Sequence, residues 1–184
     1  MSDSLKILAL SGSLRKGSYN TALLHAAAEL APAGVTVRVF DLGEIPLYND
    51  DVRTQGYPAP VEALRLAVAD ADALLISTPE YNRSFSGVIK NALDWVSRPP
   101  APPAIGKVAS VIGAGPGVLG TALANYQLRQ VLSIMSCHVL PGGEVLVGGA
   151  GSKFDAEGRL TDEGTRKFLG EHLAKLAELA RRLK

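Results

Sequence analysis

The chain has 184 residues, of which 47% are hydrophobic and 20% are charged, and its formal net charge is +1. This length favours one domain over residues 1–184, and the composition argues against a disordered chain. The near-zero net charge argues against nucleic acid or an anionic membrane as the main partner. The single cysteine, Cys137, excludes an intramolecular disulfide and is interpreted as a small apolar residue beside a buried strand.

The start of the chain, MSDSLKILAL, lacks the basic segment and the full apolar segment of a secretion signal. No run approaches the roughly 20 apolar residues that are needed to cross a bilayer. We therefore expect a cytoplasmic protein that has no membrane contact.

Apolar runs typical of strands alternate along the chain with segments of helical periodicity. The predicted strands are Leu5 to Leu10, Val35 to Phe40, Ala73 to Thr78, Lys107 to Gly113 and Gly143 to Gly148. The predicted helices cover residues 22–30, 60–72, 86–96, 121–135 and 163–183, and the predicted irregular segments are 46–58, 99–106 and 148–160. Five alternations predict an α/β protein with a parallel sheet covered on both faces. Five strands and this length favour a flavodoxin-like three-layer sandwich, with a five-stranded parallel sheet in the order 2-1-3-4-5.

The first strand runs into a loop of small polar residues, within LALSGSLRKGSYNTALL at residues 8–24. For this strand order, ligands bind at the carboxyl ends of strands 1 and 3, where the order reverses. Two glycines in the loop let backbone N–H groups approach an anion, and the next helix presents its positive end. The candidate donors are the hydroxyls of Ser11, Ser13, Ser18 and Thr21, the amide of Asn20 and the guanidinium of Arg15.

Three interpretations of this loop compete. Gly12 and Gly17 have the spacing of a nucleoside triphosphatase loop, but Ser18 and Tyr19 stand where its lysine and its hydroxyl are required. A solvated loop with ordinary helix capping is the second interpretation. Neutral donors, one arginine and no metal-binding acid favour the third, a single phosphomonoester such as that of FMN.

A second glycine motif, VIGAGPGVLGTALA, contains Gly115, Gly117 and Gly120 in the spacing of a dinucleotide-binding fingerprint. It follows the fourth predicted strand rather than the first. No acidic residue stands about 20 positions later, where a ribose would need one. We interpret it as a loop of small residues that lets a flat ligand lie against the backbone.

The third predicted strand leads into STPEYNRSFSGVIKNALDW at residues 77–95. Pro79 sets a turn, Tyr81 and Asn82 lie at the end of the strand, and Ser84 or Ser86 caps the next helix. Taken alone, this segment also suits an ordinary polar turn. The three histidines have no metal-ligand spacing, so no metal site is predicted, and no G-x-S-x-G nucleophile motif is present.

Taken together, GSLRKGSYN, PLYNDD, TPEYN followed by GVIKNALDWVSR, and YQLRQVL resemble the NADPH-dependent FMN reductases, especially their quinone and chromate reductase branch. The resemblance covers nearly the whole chain. It implies a flavodoxin-like fold, tightly bound FMN, NADPH or NADH as co-substrate, and a homodimer or homotetramer. The helix at 121–135 and the loop at 46–58 are the expected contacts between subunits, with Arg129 and Glu144 as polar partners.

The resemblance also assigns cofactor-binding residues by position. Those expected to hold the FMN phosphate are Ser13, Arg15, Ser18, Tyr19, Asn20 and Thr21. Those expected to border the isoalloxazine are Pro79, Glu80, Tyr81 and Asn82, with Gly113, Gly115 and Gly117 closing its other side. Many members of the family carry hydroxyl residues where this chain has Ala114 and Gly115.

The implied reaction is ping-pong transfer of two electrons from NAD(P)H through FMN to a small acceptor such as a quinone, chromate, an azo compound or free flavin. No catalytic side chain is assigned, because the flavin carries the chemistry. Two rival hypotheses remain: a flavodoxin-type electron carrier that does not oxidise NAD(P)H, and a binding module that retains the fold without flavin.

Overall fold

The computed structural model describes residues 4–184. Residues 1–3, which begin the segment where no secretion signal was expected, lie outside the described part. The main sheet is parallel and contains six strands. Their bounds are β1 Leu5–Ser11, β2 Val35–Phe40, β3 Ala73–Ser77, β6 Val108–Ala114, β7 His138–Val139 and β8 Val145–Val147. Two further strands, β4 Glu80–Tyr81 and β5 Ser84–Phe85, form an antiparallel hairpin.

Six α-helices connect and cover these strands. They are α1 Tyr19–Glu29, α2 Asp50–Gln55, α3 Ala59–Asp70, α4 Gly87–Val96, α5 Ala122–Ile134 and α6 Glu163–Leu183. Alternate residues of β1 serve two cores: Ile7 and Ala9 pack with α1 and α6, whereas Leu8 and Leu10 pack with α3, α4 and α5. The three-layer α/β sandwich is therefore confirmed.

The sheet order β2-β1-β3-β6-β7 confirms the predicted order 2-1-3-4-5, with one correction at the last position. The fifth strand was predicted as one segment at Gly143 to Gly148. Instead, β7 pairs with the start of β6 and β8 with its end, and a turn at residues 140–144 separates them. Gly142 and Gly143 in this turn have φ of 64° and 59°, which no extended strand allows.

Two loop predictions also need correction. The segment at 46–58 contains helix α2, which begins after the capping side chain of Asn49. Residues 80–85 form the hairpin but were not predicted as strands, because strands of two residues show no detectable periodicity.

The side chain of Asn20, at the start of α1, links the carboxyl ends of the parallel strands β3 and β6. Its Oδ1 accepts from the Ser77 hydroxyl and from the Ala114 N–H, both at 3.0 Å, and its Nδ2 donates to the Ala114 carbonyl at 3.0 Å. Asn20 is buried. Because the segment after β1 carries Asn20, this one side chain aligns the ends of β3 and β6 with the start of α1.

Replacing Asn20 with alanine should lower the free energy of unfolding by about 2–4 kcal/mol, since it leaves buried groups of Ser77 and Ala114 without partners. Chemical denaturation measures this change. Asn49→Ala is the matched control. Asn49 is exposed, and its substitution removes only a helix-capping bond, which contributes about 1 kcal/mol. Equal losses in the free energy of unfolding in both variants would show that Asn20 does not link the strands.

A buried histidine holds the turn that divides the fifth strand. His172 on α6 donates from Nδ1 to the Gly143 carbonyl at 2.6 Å, and its Nε2 accepts from the Ser110 hydroxyl at 2.6 Å. Burial lowers the pKa of His172, and the positive charges of Lys175 and Arg129 lower it further, against the opposing effect of the Gly143 bond. His172 is therefore neutral in the folded protein at pH 7.

The folded-state pKa of His172 lies below its unfolded value of about 6.5, so the unfolded chain binds the proton more readily. The stability that His172 contributes is present above pH 6.5 and is lost as the pH falls towards the folded pKa, by at most about 1.4 kcal/mol per pH unit. Denaturation between pH 7.5 and 5 should show this slope, and His172→Gln should remove it. The exposed His138, changed to Gln, serves as the control and should leave the slope intact.

Candidate functional site

Three loops meet at the carboxyl edge of the sheet. They are a phosphate loop at residues 12–18 after β1, the β4–β5 hairpin after β3, and a glycine loop at residues 113–121 at the end of β6. Backbone bonds join them, from Gly12 N–H to the Ser77 carbonyl at 2.7 Å and from Thr78 N–H to the Ile112 carbonyl at 3.2 Å. The loops that the sequence analysis singled out therefore share one edge.

The phosphate loop is held by its own hydroxyl groups. The Ser11 hydroxyl bonds the Thr21 hydroxyl at 2.8 Å and lies 3.3 Å from both the N–H and the carbonyl of Ser13. Ser18 caps α1, because its hydroxyl accepts from the N–H groups of Asn20 and Thr21. The loop thus presents hydroxyls at the positive end of a helix of 11 residues, which is an environment suited to an anion.

Two basic side chains, Arg15 and Lys16, extend from this loop and are exposed. The backbone N–H of Arg15 donates to the Ser13 hydroxyl at 3.4 Å, and this bond keeps Arg15 next to Ser13. A cavity of about 510 Å³ opens between this loop and the end of β2, and both Arg15 and Lys16 line it. A guanidinium near several hydroxyls matches the charge and the hydrogen-bonding capacity of a phosphate monoester.

Two of the six residues predicted to bind phosphate have side chains that are engaged elsewhere. Asn20 is committed to Ser77 and Ala114, as described above. The Tyr19 ring packs on Phe154, with 5.2 Å between the ring centroids. The side chains of Tyr19 and Asn20 therefore contact other parts of the chain, whereas the hydroxyls of Ser13, Ser18 and Thr21 bond within the loop and the first turn of α1.

The β4–β5 hairpin forms the second wall. Tyr81 pairs with Ser84, so Asn82 and Arg83 are the two turn residues, and their φ values are 50° and 63°. Two positive φ values match a type I′ turn, which favours Asn at the first position and Gly at the second. Arg83 in this conformation costs roughly 1–2 kcal/mol, which other contacts must offset.

Of the residues predicted to border the ring, Glu80 has an unexpected place. Its Oε2 accepts from the N–H groups of Leu123 and Ala124, at 3.0 and 3.2 Å, at the first turn of α5. The other predicted residues differ in exposure: Pro79 is buried at the strand end, whereas Tyr81 and Asn82 are exposed.

The glycine loop forms the third wall, but its glycines serve different purposes. A Cβ on Gly113 would lie 2.0 Å from the Thr121 hydroxyl and 2.6 Å from the Thr78 carbonyl, so this glycine is required for packing between loops. Gly113 therefore has a packing role, and its predicted place beside the isoalloxazine stays a prediction. Gly117 is exposed with open space around its Cα, and Gly115 is buried against the Gly120 carbonyl.

Several residues that shape the site were missed by sequence reasoning. Thr78 and Thr121 are fully buried and hold the glycine loop against the strand ends. Gly148 is needed because a Cβ there would lie 2.3 Å from the Val118 carbonyl. Exposed apolar side chains that were not predicted also lie in the loops, namely Leu14, Val118 and Leu119, in addition to the predicted Tyr81. The sequence signal for them is the presence of large apolar residues inside predicted loops.

Other candidate chemistry finds no support within residues 4–184. Cys137 is buried, as predicted for a small apolar residue; burial raises the pKa of its thiol to about 11, and its Sγ donates to the Ala104 carbonyl. No group of three or more His, Cys, Asp or Glu side chains in this range could hold a metal ion. No helix in the same range is both long and apolar enough to cross a membrane.

The donor set therefore fits FMN at both of its ends. Neutral hydroxyls, a helix N-terminus and one arginine suit its phosphate, and two walls made largely of backbone suit a planar ring.

Comparisons with known proteins agree with this geometry. The sequence profile of the family described as NADPH-dependent FMN reductase matches residues 5–152. The chain is 48% identical over 184 residues, the whole of both chains, to an NAD(P)H-dependent FMN reductase of Pseudomonas aeruginosa. It is 42% identical over 178 residues to a 2-hydroxy-1,4-benzoquinone reductase of Burkholderia sp, covering 96% of this chain and 97% of that protein.

A solved structure shares the fold closely. FerB, a flavoenzyme NAD(P)H:(acceptor) oxidoreductase of Paracoccus denitrificans, aligns with a TM-score of 0.88 at 35% identity, covering 97% of this chain and 98% of FerB. The matched profile spans most of the chain and includes all three loops of the site. The chain belongs to the NADPH-dependent FMN reductase family.

Proposed function

We propose that this protein is an FMN-containing oxidoreductase that uses NAD(P)H to reduce quinones. The observation that carries the proposal is the meeting of the phosphate loop, the hairpin and the glycine loop at one edge of the sheet, with donors that suit FMN. Family membership and the reductases with which the chain shares 42–48% identity support the same conclusion.

The phosphate loop is proposed to hold the phosphate end. Ser13, Ser18 and Thr21 supply hydroxyls, Arg15 supplies a charged donor, and the first turn of α1 supplies its positive end. Tyr19 and Asn20 contribute by shaping the loop rather than by side-chain contact. No acidic side chain is needed here, because a phosphate monoester bound by these groups requires no metal.

The hairpin and the glycine loop are proposed to border the ring, through residues 79–82 and through Gly115 and Gly117. Bound FMN supplies two-electron transfer, accepting a hydride and passing the electrons on. The net reaction consumes NAD(P)H, a proton and a quinone and yields NAD(P)⁺ and a hydroquinone. The exposed apolar rim of Leu14, Tyr81, Val118 and Leu119 provides a surface for a nicotinamide or a quinone ring.

The proposal also includes further electron acceptors, the location of the protein and its oligomeric state. Chromate, azo compounds and free flavin are further proposed acceptors. Such compounds can take electrons from reduced flavin with few specific contacts to protein side chains. The protein works in the cytoplasm as one FMN-binding domain. A homodimer or homotetramer is supported by the large apolar side chains exposed on and near α5, among them Leu119, Tyr126 and Ile134.

The two polar residues expected at the subunit contact have partners within the chain. The Arg129 guanidinium donates to the Leu140 carbonyl at 2.9 Å, and Glu144 accepts from the Tyr126 hydroxyl at 3.4 Å. Any contact between subunits through them must use their remaining hydrogen-bonding capacity.

The central test is spectroscopic. Protein that is supplied with FMN and desalted should retain a yellow flavin, which should bleach on NADPH or NADH under argon and regain its colour when a quinone is added. One hydroquinone should form for each NAD(P)H consumed. A retained flavin that stays oxidised with both nucleotides would instead identify an electron carrier, and a colourless protein would identify a binding module without flavin.

The role of Arg15 gives a second test. Arg15→Ala should raise the dissociation constant for FMN about 10- to 100-fold, since a charge-assisted bond to phosphate is lost. Riboflavin, which lacks the phosphate, should bind both proteins equally. Arg38→Ala is the matched control, because Arg38 is exposed on β2 away from the loop, and it should bind FMN as the unchanged protein does. An unchanged affinity in Arg15→Ala would remove this residue from the phosphate site.

A further inference from the structure

Glu80 lies in the hairpin, but its carboxylate belongs structurally to α5. The residue at the start of α5, Thr121, makes no capping bond with its side chain. Glu80 Oε2 takes that role from another part of the chain, accepting from Leu123 N–H at 3.0 Å and from Ala124 N–H at 3.2 Å. A negative charge at a helix N-terminus is favourable, so this bond attaches β4 firmly to α5.

A second attachment lies one turn further along α5. Gln127 Nε2 donates to the Arg83 carbonyl at 2.7 Å, and the Ser84 hydroxyl donates to Gln127 Oε1 at 2.6 Å. Glu80 and Gln127 therefore hold both strands of the hairpin on one face of α5.

The hairpin needs such attachment because its turn is strained. Arg83 adopts a left-handed backbone conformation that a side chain with a Cβ disfavours. A two-stranded hairpin with two residues in each strand is not stable by itself. The bonds to α5 help to hold this turn in place, together with the packing of Phe85 against the core.

The same end of α5 also fixes the glycine loop. Thr121 immediately precedes α5, and its side chain fills the space beside Gly113. The hairpin and the glycine loop are thus both anchored at the first turn of α5, one through Glu80 and the other through the backbone.

We infer that Glu80 is a positioning residue, which sets the spacing of the two walls of the flavin site by capping α5, rather than a residue that contacts the flavin through its carboxylate. The inference rests on the proposed function, since the walls are those assigned to the isoalloxazine. Gln127 acts with it as the second attachment.

The test compares FMN affinity and backbone protection in matched variants. Glu80→Ala should raise the dissociation constant for FMN, measured by quenching of flavin fluorescence, about 10- to 30-fold. Glu80→Gln should stay within about threefold, because an amide oxygen still accepts from both N–H groups. Glu178→Ala, an exposed change on α6, is the control and should bind FMN as the unchanged protein does.

Hydrogen exchange of the protein without flavin supplies a readout independent of cofactor and activity. The Leu123 and Ala124 amides should exchange faster in Glu80→Ala and at their original rate in Glu80→Gln. Adding Arg83→Gly to Glu80→Ala should recover part of the FMN affinity, because the relaxed turn needs less support.

The inference is overturned if Glu80→Ala keeps both the FMN affinity and the slow exchange, or if Glu80→Gln loses as much affinity as Glu80→Ala. Should Glu80→Ala fail to fold, Gln127→Ala replaces it, with an expected rise in the dissociation constant of about three- to fivefold. An unchanged constant in Gln127→Ala and in Glu80→Gln together would then overturn the inference. If the unchanged protein binds no FMN, the proposed function fails, while the exchange rates still decide whether Glu80 holds α5.

Discussion

The site depends on one constraint, the alignment of the carboxyl ends of β1, β3 and β6. Each of these strands ends in a loop whose backbone amides and carbonyls must find partners when the loops are packed together. The buried Asn20 side chain satisfies two such groups, the N–H and the carbonyl of Ala114, and also accepts from the Ser77 hydroxyl. A ligand that spans from the phosphate loop to the hairpin therefore meets walls whose relative positions are set before it binds.

Backbone and side chains contribute differently at the two ends of the proposed site. In the proposed site, hydroxyls and Arg15 supply the hydrogen bonds and the charge that an anion needs at the phosphate end. Near the ring, the polar side chain of Glu80 turns away to α5, and Gly115 and Gly117 present only backbone. Such a site binds a planar cofactor without supplying an acid or a base of its own. This arrangement suits chemistry that the cofactor carries, and the apolar side chains of the loops remain exposed beside it.

Much of the fold was readable from the sequence because its signals are local. The nearly uninterrupted apolar run at 73–78 and the alternation at 35–40 each predicted a strand that the structure contains. The helix at 163–183 was predicted with its observed bounds. Its apolar residues recur at helical spacing throughout, and Asp162 caps its start. The hairpin and the interruption of the fifth strand were missed, because both consist of segments too short to show a period.

The sequence by itself determined the order of strands and helices, the three loops of the site and the chemical character of their donors, because all of these follow from residue type and short-range spacing. Only the tertiary structure decided which side chains remain free to bind. Asn20, Tyr19 and Glu80 are polar residues in binding loops, yet their partners lie 94, 135 and 43 positions away, at Ala114, Phe154 and Leu123. No local pattern encodes such distances, since they arise when the sheet brings separate loops to one edge and buried polar groups must be satisfied there.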